Sequence, residues 1–173
     1  MSAADLVLEH SVTIQDFPKP GILFRDLTPV FADADAYRAV IDELAGAFAG
    51  EYDAVAGVEA RGFLLSSAVA YAAHKPLIAV RKAGKLPGEV LHQEYQLEYG
   101  TAALEIRPGQ LPQGSRVLIL DDVLATGGSC LASAALIERA GYTVAGFGLV
   151  LELAGMTGRE RLEGYRVHAI MSE

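Results

Sequence analysis

Cysteine is nearly absent from this chain: Cys130 is the only one in 173 residues, so no intramolecular disulfide can form. Long apolar runs are missing too. Stretches such as Val144 to Leu151 fall far short of the roughly 20 residues that a membrane-spanning helix needs. The first ten residues carry Asp5 and Glu9 but no lysine or arginine, so they lack the basic start of a secretory signal. These absences point to the cytoplasm and away from a membrane. Positive charge is scarce as well, with 14 Lys and Arg against 22 Asp and Glu and a formal net charge of −8. Such a surface repels a phosphate backbone, which argues against nucleic acid as a partner. His10, His74, His92 and His168 have no close metal-ligand spacing. No G-x-G-x-x-G follows a strand, and no G-x-x-x-x-G-K-[ST] loop is present, which disfavours a dinucleotide-binding reading.

What remains is the composition of a globular chain, 51% hydrophobic and 21% charged, long enough for one domain with a sizeable core. Residues 17–28 (FPKPGILFRDLT) are punctuated by proline and glycine and read as a loop with short extended pieces. Tyr37, Val40, Ile41, Leu44, Ala45 and Phe48 follow helical spacing and predict a helix over 35–49. Strands are expected over 54–58, 77–80, 117–120, 144–151 and 167–170. Helices are expected over 63–73 and in the Ala-rich stretch that Gly141 should stop. Residues 82–89 (KAGKLPGE) read as a mobile loop, and 91–106 as a hairpin-like antiparallel pair. Strands alternating with helices imply an α/β sheet with ligands at the carboxyl ends of the strands.

The chemistry concentrates in residues 117–129, VLILDDVLATGGS. A buried strand delivers two adjacent carboxylates, Asp121 and Asp122, to its end. A Thr-Gly-Gly-Ser turn then opens a helix, where free backbone N–H groups bind an anion and glycine permits close approach. Such a turn suits a phosphate, and the carboxylates suit sugar hydroxyls. An acidic protein that binds anions must gather its cations locally. Arg81, Lys82 and Lys85, near a Gly/Pro loop, are the cluster that answers this, and Arg61, beside Gly62 just past a strand, is a guanidinium able to grip a pyrophosphate bidentately. Cys130 at a helix start could be an activated thiol, but a small packed side chain is the simpler reading.

This string resembles the phosphoribosyl-pyrophosphate motif of the type I phosphoribosyltransferases. Three further strings are similar to the adenine-specific branch of that family: FPKPGILFRDLTPVF at 17–31, VEARGFLL at 58–65, and VRKAGKLPGE with HQEYQLEYGTAALEI at 80–106. The resemblance spans about residues 14–153. It implies one phosphoribosyltransferase domain over 1–173, with a central, mostly parallel sheet flanked by helices. A small N-terminal hood falls within 1–33, and a flexible catalytic loop should close over 82–95. The implied reaction joins adenine to phosphoribosyl pyrophosphate and yields AMP and pyrophosphate.

Residue by residue, the resemblance assigns the ribose hydroxyls to Asp121 and Asp122 and the 5-phosphate to Ala125, Thr126, Gly127, Gly128 and Ser129. It assigns pyrophosphate to Arg61, Arg81, Lys82 and Lys85, with Arg61 and Lys85 also contributing to catalysis. A strained or cis peptide at Glu59–Ala60 is implied beside them. Glu98 is the implied acid–base group and Tyr99 the residue that helps close the loop. Leu23 should wall the adenine and Arg25 should contact it by backbone or side chain, with Phe24 in the core. Mg²⁺ is expected mainly on the substrate, since no carboxylate cage is visible. A homodimer is implied, with contacts near residues 61–71 and the loop after Val80. Rival readings are transfer to another purine base and a regulator that binds phosphoribosyl pyrophosphate without chemistry. The regulator would need a basic DNA-binding face or an added helix-turn-helix, which the −8 charge and the short N-terminal segment oppose.

Overall fold

The computed structural model describes residues 1–97 and 100–173. Among these, seven strands form one sheet in the order β5-β6-β4-β3-β7-β8-β9. At its centre lies β3 (Ala54–Val58), buried at every position, as expected of a strand covered on both faces. Parallel to it run β4 (Leu77–Lys82) on one side and β7 (Arg116–Leu124) on the other. Beyond β7, β8 (Thr143–Glu152) and β9 (Val167–Ser172) continue the parallel set. The other edge turns antiparallel: β6 (Thr101–Ile106) pairs with β4, and β5 (Leu91–Gln96) pairs with β6 over six residues.

Successive side chains of a strand point to opposite faces, so β7 feeds two cores. Leu118 and Leu120 pack with Val40, Leu44, Phe48, Leu65 and Val69, beneath α3 (Ala34–Ala47) and α4 (Gly62–Ala73). Val117 and Ile119 pack with Leu136, Ile137 and Phe147, on the side of α5 (Gly128–Arg139). The fold is the expected α/β arrangement, a central, mostly parallel sheet flanked by helices. Helix α3 starts where Asp33 accepts the N–H groups of Asp35 and Ala36. Helix α5 ends before Gly141, whose φ of +85° a side chain would disfavour.

Several elements depart from the periodicity reading. Helix α1 (Ala3–His10) opens with a capping box in which the Ser2 hydroxyl accepts the Asp5 N–H and the Asp5 carboxylate accepts the Ser2 N–H. Short helices α2 (Thr28–Ala32) and α6 (Gly158–Arg161) are too brief to leave a periodic signal. Strand β7 continues through Asp121 and Asp122 to Leu124. The acids therefore lie within the strand rather than beyond its end, because β8 offers pairing partners as far as Glu152. In the N-terminal segment, β1 (Val12–Gln15) and β2 (Leu23–Asp26) form a separate antiparallel ribbon. Phe24 lies on this ribbon against Phe17, with ring centroids 5.2 Å apart. It is partly buried rather than a core residue, because the ribbon is too small to cover it.

The approach of α4 to β3 depends on glycine. A Cβ at Gly57 would stand 2.0 Å from Ser66 Oγ, 2.7 Å from Ser66 Cβ and 3.0 Å from the Gly62 carbonyl oxygen. Gly57→Ala should therefore push α4 off the sheet and lower stability by about 1–3 kcal/mol, the usual cost of overpacking. A urea denaturation midpoint equal to the parent's would show that the helix yields without cost.

Candidate active site

The parallel strands β3 and β7 end side by side, and their carboxyl ends open onto a cleft of about 440 Å³. Its lining includes Glu59, Ala60 and Arg61 after β3, Lys82 at the end of β4, Tyr95 of β5, Asp121 and Asp122 of β7, and Ala125 and Ser129 of the following turn. A smaller adjoining hollow of about 150 Å³ is lined by Ala125 to Cys130 together with Tyr95 and Leu97. The turn and both acids thus share one concavity at the sheet edge where α/β proteins bind ligands.

Asp121 and Asp122 are almost fully buried. Asp121 Oδ1 accepts the Asp122 N–H at 2.9 Å. Burial, reinforced by the neighbouring Asp122 carboxylate, pushes the Asp121 carboxyl well above the usual carboxylate range. Asp122 is ion-paired with Arg61 through the guanidinium Nε. Arg61 is half exposed, and that bond leaves the donors on its two Nη atoms for a ligand in the cleft. The next residue makes the meeting feasible. A Cβ at Gly62 would lie 2.7 Å from the Leu120 carbonyl oxygen and 3.2 Å from Asp121 Oδ1, so only glycine lets the start of α4 touch β7. The Glu59–Ala60 peptide beside it is cis, as the sequence resemblance implied.

The turn from Ala125 to Ser129 is equally close-packed. Gly127 adopts φ +74° as the N-cap of α5, a conformation natural to glycine. A Cβ on Gly128 would meet Tyr95 Cδ2 at 3.1 Å and the Gln96 carbonyl oxygen at 3.2 Å, so the end of β5 presses on the turn. Burial raises the Tyr95 pKa, with the nearby Asp121 adding to it. Cys130 is buried, and its thiol is pushed far above the usual range, which removes the activated-thiol reading.

The expected residues separate into groups. Arg61, Lys82, Asp121, Asp122, Ala125 and Ser129 line the main cleft. Thr126, Gly127 and Gly128 line the adjoining hollow. Arg81 has turned to Glu59, with Nε 3.2 Å from its carboxylate, and to the Lys85 carbonyl oxygen at 3.5 Å. Glu59 also accepts the Lys82 N–H at 2.9 Å, and that bond foremost holds its carboxyl below the usual range. Lys85 is not among the residues lining either hollow. Leu23 is 60% exposed on the ribbon, while the Arg25 side chain is tied to Glu173 at 2.5 Å and to the Ser11 hydroxyl at 3.0 Å. Glu98 and Tyr99 lie outside the described residues. Among the described residues, no group of three or more His, Cys, Asp or Glu could hold a metal ion, and no helix is long and apolar enough to cross a membrane. Sequence reasoning implicated Glu59 only through its peptide with Ala60 and gave no site role to Gly62 or Tyr95. Gly62 carried a signal in its place beside Arg61. Tyr95 and the Glu59 carboxylate meet the site only through tertiary packing.

Residues 31–170 match the family model of the phosphoribosyl transferase domain. The chain is 66% identical over 171 residues to the adenine phosphoribosyltransferase of Clavibacter sepedonicus, covering 99% of this chain and 89% of that one. Among solved structures, the adenine phosphoribosyltransferase of Thermoanaerobacter pseudethanolicus is 43% identical with a TM-score of 0.94, covering 98% of this chain and 99% of that chain. The Saccharomyces cerevisiae enzyme, complexed with adenine and an imino-altritol bisphosphate, is 36% identical with a TM-score of 0.92, covering 98% of each chain.

The raised pKa of Asp121 has a definite consequence for stability. Its ionised form is disfavoured in the folded state, whereas the unfolded chain loses that proton at about pH 4. Stability therefore falls as pH rises from there through the folded pKa, and the penalty persists above it. Asp121→Asn should be more stable than the parent at neutral pH, with the difference shrinking as pH falls through the folded pKa and gone by about pH 4. Urea denaturation over a pH series reads this, and no gain at neutral pH would mean that burial does not penalise this carboxylate.

Proposed function

The chain belongs to the phosphoribosyltransferase family, and on that premise we propose that it joins adenine to phosphoribosyl pyrophosphate, yielding AMP and pyrophosphate. One observation carries the reading: adjacent buried acids, a glycine-rich turn at a helix start and the Arg61 guanidinium meet in one cleft. Asp121 and Asp122 accept hydrogen bonds from the ribose 2′ and 3′ hydroxyls. The turn from Ala125 to Ser129 holds the 5-phosphate through its N–H groups and hydroxyls. Arg61 keeps Asp122 through Nε and offers its Nη donors to the pyrophosphate. Lys82 adds charge from the end of β4, and Arg81 and Lys85 join it when the following loop closes. Adenine lies beneath the ribbon, walled by Leu23. Because its side chain is already tied to Glu173 and Ser11, Arg25 contributes through its backbone.

In the transfer, N9 of adenine forms a bond to C1′ as the bond from C1′ to the pyrophosphate oxygen breaks. The leaving pyrophosphate keeps the electron pair, and Glu98 takes the proton lost from the purine. Closure over residues 82–95, aided by Tyr99, excludes the water that would hydrolyse the sugar cation. The acids are already committed to each other, to Arg61 and to the proposed ribose contacts. That donor set fits Mg²⁺ carried on the substrate's own oxygens, where it would neutralise pyrophosphate charge. We place the enzyme in the cytoplasm as one phosphoribosyltransferase domain. It pairs as a homodimer through α4, where Leu64 and Tyr71 are exposed.

The decisive measurement mixes the protein with Mg²⁺, phosphoribosyl pyrophosphate and adenine, hypoxanthine, guanine or xanthine in turn. Nucleotide should form with adenine. Formation with another base alone would shift the assignment to that base, and none with any base would favour a non-catalytic binder. Replacing Asp121 and Asp122 together by Ala should lower kcat/KM by roughly 100-fold or more, since hydrogen bonds to charged groups are each worth about 1.5–3 kcal/mol. Full activity in that double variant would contradict the ribose assignment.

A further inference from the structure

Helix α6 packs directly against the glycine-rich turn. A Cβ on Gly158 would lie 2.3 Å from the Ala125 carbonyl oxygen, and one on Gly127 would lie 3.1 Å from the Gly158 carbonyl oxygen. The helix is anchored from behind. Arg159 donates from Nε to Glu152 at 2.8 Å and from Nη1 to the Val167 carbonyl oxygen at 2.9 Å, tying α6 to the ends of β8 and β9. From this anchored position, Arg161 Nη1 donates to the Thr126 carbonyl oxygen at 2.8 Å.

The consequence follows from peptide geometry. In a planar trans unit the C=O and the following N–H point in opposite directions. The Thr126–Gly127 unit is trans, so drawing the Thr126 carbonyl toward Arg161 turns the Gly127 N–H away from α6. Among the described residues no acceptor takes that N–H. We infer that Arg161 is a positioning residue for the phosphate turn: it holds one peptide so that its N–H, and not its carbonyl oxygen, faces the 5-phosphate of the sugar. The inference rests on the proposed use of that turn. It adds a residue that touches no substrate yet presets a donor before the substrate arrives. Without it, the carbonyl is free to rotate toward the anion, and the turn must be reordered on binding.

Arg161→Met keeps the apolar stem and removes the donors. Titration calorimetry with ribose 5-phosphate, and separately with Mg²⁺ and pyrophosphate, reads the two ends of the site. The variant should bind ribose 5-phosphate roughly tenfold or more weakly, the scale of a lost hydrogen bond to a charged group, and pyrophosphate unchanged. The ratio should persist at high salt, because orientation is not screened as a through-space charge is. In turnover, KM for phosphoribosyl pyrophosphate should rise while KM for adenine stays constant. Equal ribose 5-phosphate binding, a parallel loss for pyrophosphate, or a ratio that vanishes at high salt would overturn the role. If the Met variant does not fold, Arg161→Lys serves, with a smaller loss for ribose 5-phosphate alone. A parent protein that binds no ribose 5-phosphate would instead overturn the use of the turn itself.

Discussion

Two adjacent carboxylates buried within β7, just before its end, are the constraint around which the site is built. Burying a carboxylate disfavours its charged form, and a second one adjacent compounds the cost. The chain answers with a backbone donor to Asp121, from the Asp122 N–H, and a guanidinium to Asp122, from Arg61. The second answer depends on the start of α4 lying against β7, which Gly62 permits and a side chain at that position would prevent. Hydroxyl donors from a bound ligand would relieve that penalty, so an acid pair of this kind in a cleft suits ligand binding.

Close backbone approach recurs around the cleft and explains why glycine gathers there. Gly128 meets β5, and Gly158 meets the carbonyl of Ala125. The glycine-rich turn is thereby clamped between the antiparallel edge of the sheet and a four-residue helix, instead of standing free as a surface loop. A clamped turn keeps its N–H groups in place, which limits the ordering cost when an anion binds.

The charge distribution has the same logic. The chain is acidic overall, so cations at the cleft are a local exception. Of these, Arg61 is held by Asp122; nearby, Arg81 is held by Glu59, and behind α6 Arg159 is held by Glu152. Paired cations do not repel one another across the cleft, and those with spare donors can still turn to an anion. Glu105 works similarly on the neighbouring hairpin, accepting from Gly84 and facing His92 at 3.1 Å, which joins the base of the 82–89 segment to β5.

The strands of the main sheet, the helices longer than two turns in the middle of the chain, and the acid pair followed by its glycine turn were all legible from residue order. Period-2 and period-3.6 patterns and turn chemistry are local properties, and VLILDDVLATGGS places its acids and glycines by spacing alone. The short helices α2 and α6 and the extension of β7 through its acids were not legible. The first two are too short for a periodic signal, and the third exists because β8 pairs with those residues. Likewise, nothing in the order of residues tells that Arg25 is tied to Glu173, that Arg81 turns to Glu59, or that Arg161 reaches Thr126 across 35 positions of chain. Sequence alone determined which groups the protein carries and the local frame of the glycine-rich turn, because hydrogen bonding and backbone freedom there involve near neighbours. Only the tertiary structure decided which charges meet and which remain available, because ion pairing depends on distances that chain separation does not set.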